Sequence, residues 1–261
     1  MQSQLCTQEK LTSGLYQDWA KVFGLANHIH RKTWEWVFIC EALYSSGVLK
    51  PGKSGLGFAV GKEPLASVFA SKGAEIIATD LDTARATKMG WLNTNEHAAT
   101  KAALNERKLC DELEFNRLVN FQFADMNQIP AEFNDTFDFT WSSCAFEHLG
   151  SIQRGIDFVS NSMKVLKPGG VSVHTTEFNV CSNNDTVESG DTVIFRRRDI
   201  EELIKRLTDE GYHVEEMDWS YGADPLDYCV DVPPYKHDPH LKLMLGGYVC
   251  TSIGLIVRKR A

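Results

Sequence analysis

The chain has 261 residues and a mass of 29.3 kDa, with 43% hydrophobic and 24% charged residues, as in an ordinary folded domain with room for an appendage. Such proportions exclude a disordered chain, a collagen-like chain and a coiled coil. Lys and Arg total 27 against 35 Asp and Glu, and the net charge of −8 excludes a dedicated nucleic-acid binder, which would cluster Lys and Arg.

Residues 1–50 read as an N-terminal helical cap. Trp34, Val37, Phe38, Ile39, Ala42 and Leu43 recur at helical spacing, and Gly47 closes the pattern. Lys50-Pro51-Gly52-Lys53 is a turn and marks the start of the main domain, 51–261. Gly55 to Phe58 is predicted as a short buried strand, Pro64 to Ala70 as a helix with its proline in the first turn, and Ala74 to Thr79 as a second strand. Asp82 to about Asn105 reads as a helix. Leu118 to Phe123 and Phe137 to Trp141 are strands. Ile152 to Leu166 is an amphipathic helix stopped by Lys167-Pro168-Gly169-Gly170, and Val171 to Thr175 is a strand. A helix over Asp199 to Glu210 ends at Gly211, and strands at His213 to Met217 and Tyr248 to Val257 complete the chain. This alternation implies an α/β fold with a mainly parallel sheet, whose ligands bind beyond the carboxyl ends of the strands.

The longest apolar stretch, Gly247 to Val257, falls far short of the roughly 20 residues of a membrane helix. The N-terminus lacks a signal-peptide pattern. The seven cysteines are scattered with no Cys-x-x-Cys pair. No disulfide framework or thiolate zinc site is expected, and the expected setting is a reducing cytoplasm.

Gly57-Phe58-Ala59-Val60-Gly61 joins the first strand of the main domain to its helix. Small residues there permit a tight turn and close approach of backbone to a ligand. Asp80 ends the next strand, where a carboxylate can accept from both hydroxyls of a ribose. A dinucleotide fingerprint would need glycine at 57, 59 and 62, and finds Gly, Ala and Lys. In Ala124-Asp125-Met126 the acid suits an adenine amine and the methionine its ring, or else Asp125 only starts a turn.

In order and spacing, Gly57–Gly61, Thr79-Asp80, Ala124-Asp125-Met126, Phe137–Ser143, Phe146-Glu147-His148-Leu149 and Leu166–Gly170 resemble the class I S-adenosylmethionine-dependent methyltransferases, from about Ser54 to the C-terminus. The resemblance implies a Rossmann-like seven-stranded sheet whose last strand is antiparallel. It implies that Gly57, Phe58, Ala59 and Gly61 line the methionine moiety, Asp80 holds the ribose and Leu81 flanks the adenine. Asp125 and Met126 would bind the adenine, and Ser142, Ser143 and Cys144 would pass beneath the sulfonium. Ala59 departs from the family's middle glycine, and the stretch between Asp80 and Asp125 is longer than usual in the family, which implies an insertion around Trp91 to Cys110 that adds a helix over the site.

A hydroxyl acceptor is a weak nucleophile and benefits from a general base. At the strand ends His148 is the candidate base, and Glu177 could bind an acceptor hydroxyl or a metal. Some members of the family bind a divalent ion through Glu-x-x-Glu-His. Cys144 replaces the first Glu here, leaving Glu147 and His148 as Mg2+ ligands, or as a helix cap and a packing residue. The segment 220–242 reads as an acceptor lid, in which Tyr228, Asp231, Tyr235, His237 and His240 suit a polar, carbohydrate-like pocket. Arg31 or Lys32 could meet the cofactor's carboxylate. The sequence thus points to methyl transfer onto a hydroxyl of a sugar or glycan. The alternatives are an N- or O-methyltransferase of another small metabolite, an NAD(P)-dependent oxidoreductase and a non-catalytic binding subunit.

Overall fold

A computed structural model describes residues 1–82, 100–236 and 238–261. The chain opens with a strand, β1 (Ser3–Leu5), then three helices, α1 (Gln8–Thr12), α2 (Gly14–Val22) and α3 (Arg31–Ser45). β2 (Ser54–Gly57), α4 (Leu65–Ser71), β3 (Glu75–Asp80), α5 (Glu112–Leu118), β4 (Val119–Phe123) and β5 (Phe137–Ser143) follow. α6 (Ile152–Ser162), β6 (Leu166–Asn179) and α7 (Arg197–Asp209) lead to the short strands β7 (His213–Val214), β8 (Met217–Asp218) and β9 (Val230–Asp231), then β10 (Lys242–Leu245) and β11 (Tyr248–Arg258).

The strands form one Rossmann-like sheet in the order β4-β3-β2-β5-β6-β11-β1-β8. β2 to β6 are mutually parallel, and β11 runs antiparallel to β6, with Ser252 opposite Glu177. The order reverses at β2, which has β3 on one side and β5 on the other. Loops leaving such a pair diverge to opposite faces and open a crevice at the strand ends.

The sheet has eleven strands rather than the seven expected. β1 falls inside the segment read as a helical cap and pairs with β11, Leu5 opposite Ile253. Three residues are too few for alternation to register in a sequence, although Ser3 and Leu5 both point into the core. The strand expected at His213 to Met217 is divided into β7 and β8, and β9 and β10 are the other additions. The expected helix from Asp82 to Asn105 falls largely outside the described residues, as does the first part of the Trp91 to Cys110 insertion, residues 91–99; Lys101–Asn105 is a short 3-10 turn.

Apolar periodicity explains the layers. α6 buries Ile156, Phe158 and Val159 while leaving Arg154 exposed, each large apolar group contributing about 1.5–3 kcal/mol. With Phe58, Phe146 and Phe195 they form the core of one face of the sheet. Trp34, Phe38, Phe69 and Trp141 belong to the core of the other face. α3 lies close on β11 because Gly254 has no side chain: a Cβ there would sit 2.3 Å from the Phe38 ring. That contact brings the first turn of α3 to the functional end of the sheet. Among the described residues no helix is long and apolar enough to cross a membrane.

Candidate active site

The turn after β2 is held from β3. The Thr79 hydroxyl donates to Gly57 O at 2.7 Å, and Val60 N donates to Thr79 O at 3.0 Å. Asp80 accepts from Gly61 N at 3.1 Å and from Leu81 N at 2.8 Å. Asp80 thus ties the two turns together at the place where it would meet a ribose. Ala59 has φ +45°, a left-handed conformation that costs a non-glycine residue about 1–2 kcal/mol. The glycine at 57 has a packing cause, since a Cβ would lie 2.3 Å from the Trp141 ring. Phe58 turns into the core against Phe158, ring centroids 5.2 Å apart.

Asp125 Oδ1 accepts from Asn127 N at 2.8 Å, the turn-forming use of an aspartate, and Met126 is buried in the core of the α6 face. At the end of β5, Ser142 Oγ lies 2.7 Å from Nδ1 of His174, whose pKa burial lowers to about 3. Ser143 donates to Glu35 Oε2 at 3.2 Å. Cys144 takes φ +45°, with its N–H 3.1 Å from Thr175 Oγ1.

The first turn of α3 meets these strand ends. His30 caps the helix by accepting from Lys32 N at 3.0 Å, which places Arg31 and Lys32 in the first turn, against the helix dipole. Carboxylates hold both cations there. Glu35, fully buried, receives Arg31 Nη1 and Lys32 Nζ, each at 3.3 Å, and the Ser252 hydroxyl at 2.5 Å. Burial raises its pKa, but Lys32 and Arg31 outweigh that and leave it below the usual range. Arg31 Nη2 also reaches Glu177 Oε1 at 2.5 Å, and Lys32 reaches Glu63 at 2.7 Å.

Glu147 and Glu177 stand beside this network. Thr176 donates to Glu147 Oε2 at 3.0 Å. Among the described residues, Glu147 Oε1 and Glu177 Oε2 are buried and accept no hydrogen bond. Burial pushes Glu147 up to about 7, and burial also raises Glu177 despite Arg31. The Cys144 thiol, likewise raised by burial and by the neighbouring Glu147 and Glu35, completes a group whose donor atoms all lie within 4.8 Å of one another. His148 is outside that group. Its Nδ1 lies 2.8 Å from Asp191 O and 3.2 Å from Thr192 Oγ1, and its Nε2 lies 4.0 Å from Glu147 Oε1.

The 220–242 segment closes onto α3. His240 N donates to Ile29 O at 2.8 Å and Arg31 N to His240 O at 2.9 Å, with the His30 and His240 rings stacked at 4.8 Å. Asp231 Oδ2 sits 2.7 Å from His240 Nδ1, and Tyr235 packs edge-on against the same ring. Asp231, Tyr235 and His240 are therefore brought together. Tyr228 stands apart, 74% exposed, and His237 lies outside the described residues. Sequence reasoning missed Glu35 and Glu63. The signal for Glu35 was a single acid inside the apolar run Trp34 to Ile39, three and four residues after two cations.

Residues 56–174 match the family model of a methyltransferase domain. No curated protein matches the chain. Among solved structures, the chain is similar to the 4+2 cyclase SpnF (17% identity, TM-score 0.55, covering 97% of this chain and 94% of that one). It is similar to the magnesium protoporphyrin IX methyltransferase of Synechocystis PCC 6803 with bound SAH (11% identity, TM-score 0.51, 97% of both chains). It is also similar to a phosphoethanolamine N-methyltransferase of Haemonchus contortus in complex with S-adenosyl-L-methionine (16% identity, TM-score 0.52, 97% of this chain and 60% of that one). At such identities the likeness concerns the fold, and the cyclase in the set has a different reaction. The methyltransferase-domain match is the finding that supports a class I S-adenosylmethionine-dependent methyltransferase.

Proposed function

We propose that this chain transfers the methyl group of S-adenosylmethionine to a hydroxyl of a small polar acceptor, a sugar or glycan unit, with Glu147 as the general base. The observation that carries the reading is the buried Glu147 carboxylate, with one oxygen unpartnered and its pKa at about 7. Such a group is suited to taking a proton near neutral pH, which a hydroxyl nucleophile must lose and a neutral amine need not lose before attack.

The donor set suits the cofactor. Asp80 offers carboxylate oxygens at the end of β3, and Lys32, whose side chain is 31% exposed, reaches Ser143 at the end of β5 while paired with Glu35 and Glu63. When bound, S-adenosylmethionine supplies an electrophilic methyl group on a positively charged sulfur. The chain's part is positioning and proton transfer: Asp80 fixes a ribose, Glu147 accepts the acceptor's proton, and burial of the cluster limits competing water. The lid, with Asp231, Tyr235 and His240 in one patch, suits a hydroxyl-rich ligand. The free cysteines fit a reducing cytoplasm.

The test is release of S-adenosylhomocysteine from purified protein supplied with hexose and deoxyhexose glycosides. Turnover on a glycoside that Glu147→Gln abolishes is the expected result. Turnover confined to amines would overturn the hydroxyl reading.

A further inference from the structure

The buried cluster at the strand ends carries more negative than positive charge. Four carboxylates, Glu35, Glu63, Glu147 and Glu177, meet two cations, Arg31 and Lys32. The two cations contact Glu35, Glu63 and Glu177, and they use only one oxygen of Glu177. Glu147 Oε1 and Glu177 Oε2 are left buried without hydrogen bonds, in side chains only 1% and 7% exposed. A buried carboxylate oxygen without a donor costs about 1–3 kcal/mol or more, so two of them side by side require a ligand or protons. The Cys144 sulfur belongs to the same group, one donor atom from each of the three residues lying within 4.8 Å of the others; the sulfur lies 3.7 Å from Glu177 Oε1 and 3.3 Å from Glu35 Oε1.

We propose that Cys144, Glu147 and Glu177 hold one divalent cation of borderline softness, of the Zn2+, Mn2+ or Co2+ class. Ligands around a tetrahedral ion at ~2.0–2.3 Å stand ~3.5 Å apart, so the cluster must contract by about an ångström. The donor set also selects the ion: a sulfur ligand favours softer metals, whereas Mg2+ takes oxygen ligands and keeps several waters. Arg31 holds Glu177 Oε1 and leaves Oε2 vacant, but its Nη1 also lies 3.7 Å from the Cys144 sulfur, a contact that the sulfur gives up on turning to the ion. His148 is not a member, since its Nε2 stays outside the group and its Nδ1 faces Asp191 O.

Three protein ligands leave an open position. In the sense that rests on the hydroxyl-methylating reading, that position is where the acceptor oxygen sits, oriented and made more acidic by the ion; Glu147 is then a ligand, and it is the base only in the metal-free protein. The site itself rests on the side chains and not on the acceptor.

The test uses the full chain stripped with EDTA, without cofactor or acceptor, titrated calorimetrically with Zn2+, Mn2+ and Mg2+. One equivalent of Zn2+ or Mn2+ is expected, with Mg2+ at least tenfold weaker. Glu147→Gln and Glu177→Gln should each weaken binding at least tenfold. Co2+ should give a thiolate-to-cobalt absorption band that Cys144→Ser removes; this readout in the unsubstituted chain does not depend on a variant folding. An absence of binding, a cobalt spectrum without the thiolate band, or binding unmoved by Glu147→Gln would each overturn the site. Sugar turnover that survives EDTA in a chain that binds no ion would remove the metal and leave the hydroxyl reading standing. Stoichiometric binding sensitive to Glu147→Gln, without sugar turnover, would do the reverse.

Discussion

Arg31 Nη2 approaches Glu177 Oε1 to 2.5 Å, so one side chain in the first turn of α3 is fastened to the end of β6. Glu177 is buried and Arg31 largely so, its side chain 14% exposed, and the same guanidinium also serves Glu35. Removing one member of a buried ion pair costs about 3–5 kcal/mol, because the remaining charge is left without a partner. Arg31→Ala should lower the midpoint of thermal unfolding by roughly 10 °C, with Arg31→Lys recovering part of it. Calorimetric unfolding tests this, and an unchanged midpoint would mean that the pair contributes nothing to stability.

Asp80→Ala should weaken S-adenosylhomocysteine binding at least tenfold, about 1.4 kcal/mol. The carboxylate is lost both as a ribose partner and as the acceptor for Gly61 N and Leu81 N. Titration calorimetry gives the answer directly. Unaltered affinity would move the ribose to another residue.

Glu147→Gln should cut turnover by about a hundredfold or more, the range of general acid–base catalysis. His148→Ala should cut it far less, because His148 contacts the Asp191–Thr192 segment and is not in the cluster. In EDTA, kcat/KM should rise with pH through about 7, as Glu147 becomes the carboxylate that accepts a proton. A profile flat from pH 6 to 8 would contradict Glu147 as the base.

Stability should move with pH in the opposite sense. Glu147 holds its proton up to about 7 when folded, against about 4.3 in an unfolded chain. Between those values the folded state binds more protons, so this contribution is whole below the unfolded pKa and is lost as pH rises through 7. The loss is about 3 kcal/mol. Urea unfolding of the metal-free protein at pH 5 and pH 8 should show the unsubstituted chain losing about that much more than Glu147→Gln. Equal losses in the two proteins would mean that Glu147 is not protonated in the fold.

Much of the architecture was legible because the main domain obeys local rules. Parallel β2 to β6 came from short apolar runs, and α6 from its 3.6-residue stripe. The cluster of Glu35, Arg31 and Glu177 was not legible in the same way. Its members lie on α3 and β6, and the register that sets Ser252 opposite Glu177 is tertiary information. Individual readings also reflect this divide. Glu177 was singled out because strand ends carry chemistry, whereas Phe58, Met126 and Ser142 have side chains engaged in the core. The sequence shows residue type at a strand end, but pleat and twist decide which face the side chain takes.

β11 lies between β6 and β1 in the sheet, and Ile256 N donates to Ser3 Oγ across a separation of 253 residues. A strand far along the chain is therefore an interior one, and β1, made well before it, must wait for it. Until β11 inserts, Glu35 lacks the Ser252 hydroxyl and β6 has an open edge. Such long-range closure makes folding slow, and the waiting intermediate exposes an unpaired edge prone to aggregation. The cost falls on nascent chains: a ribosome that stalls before residue 248 leaves a sheet with a gap at its centre rather than a shortened margin.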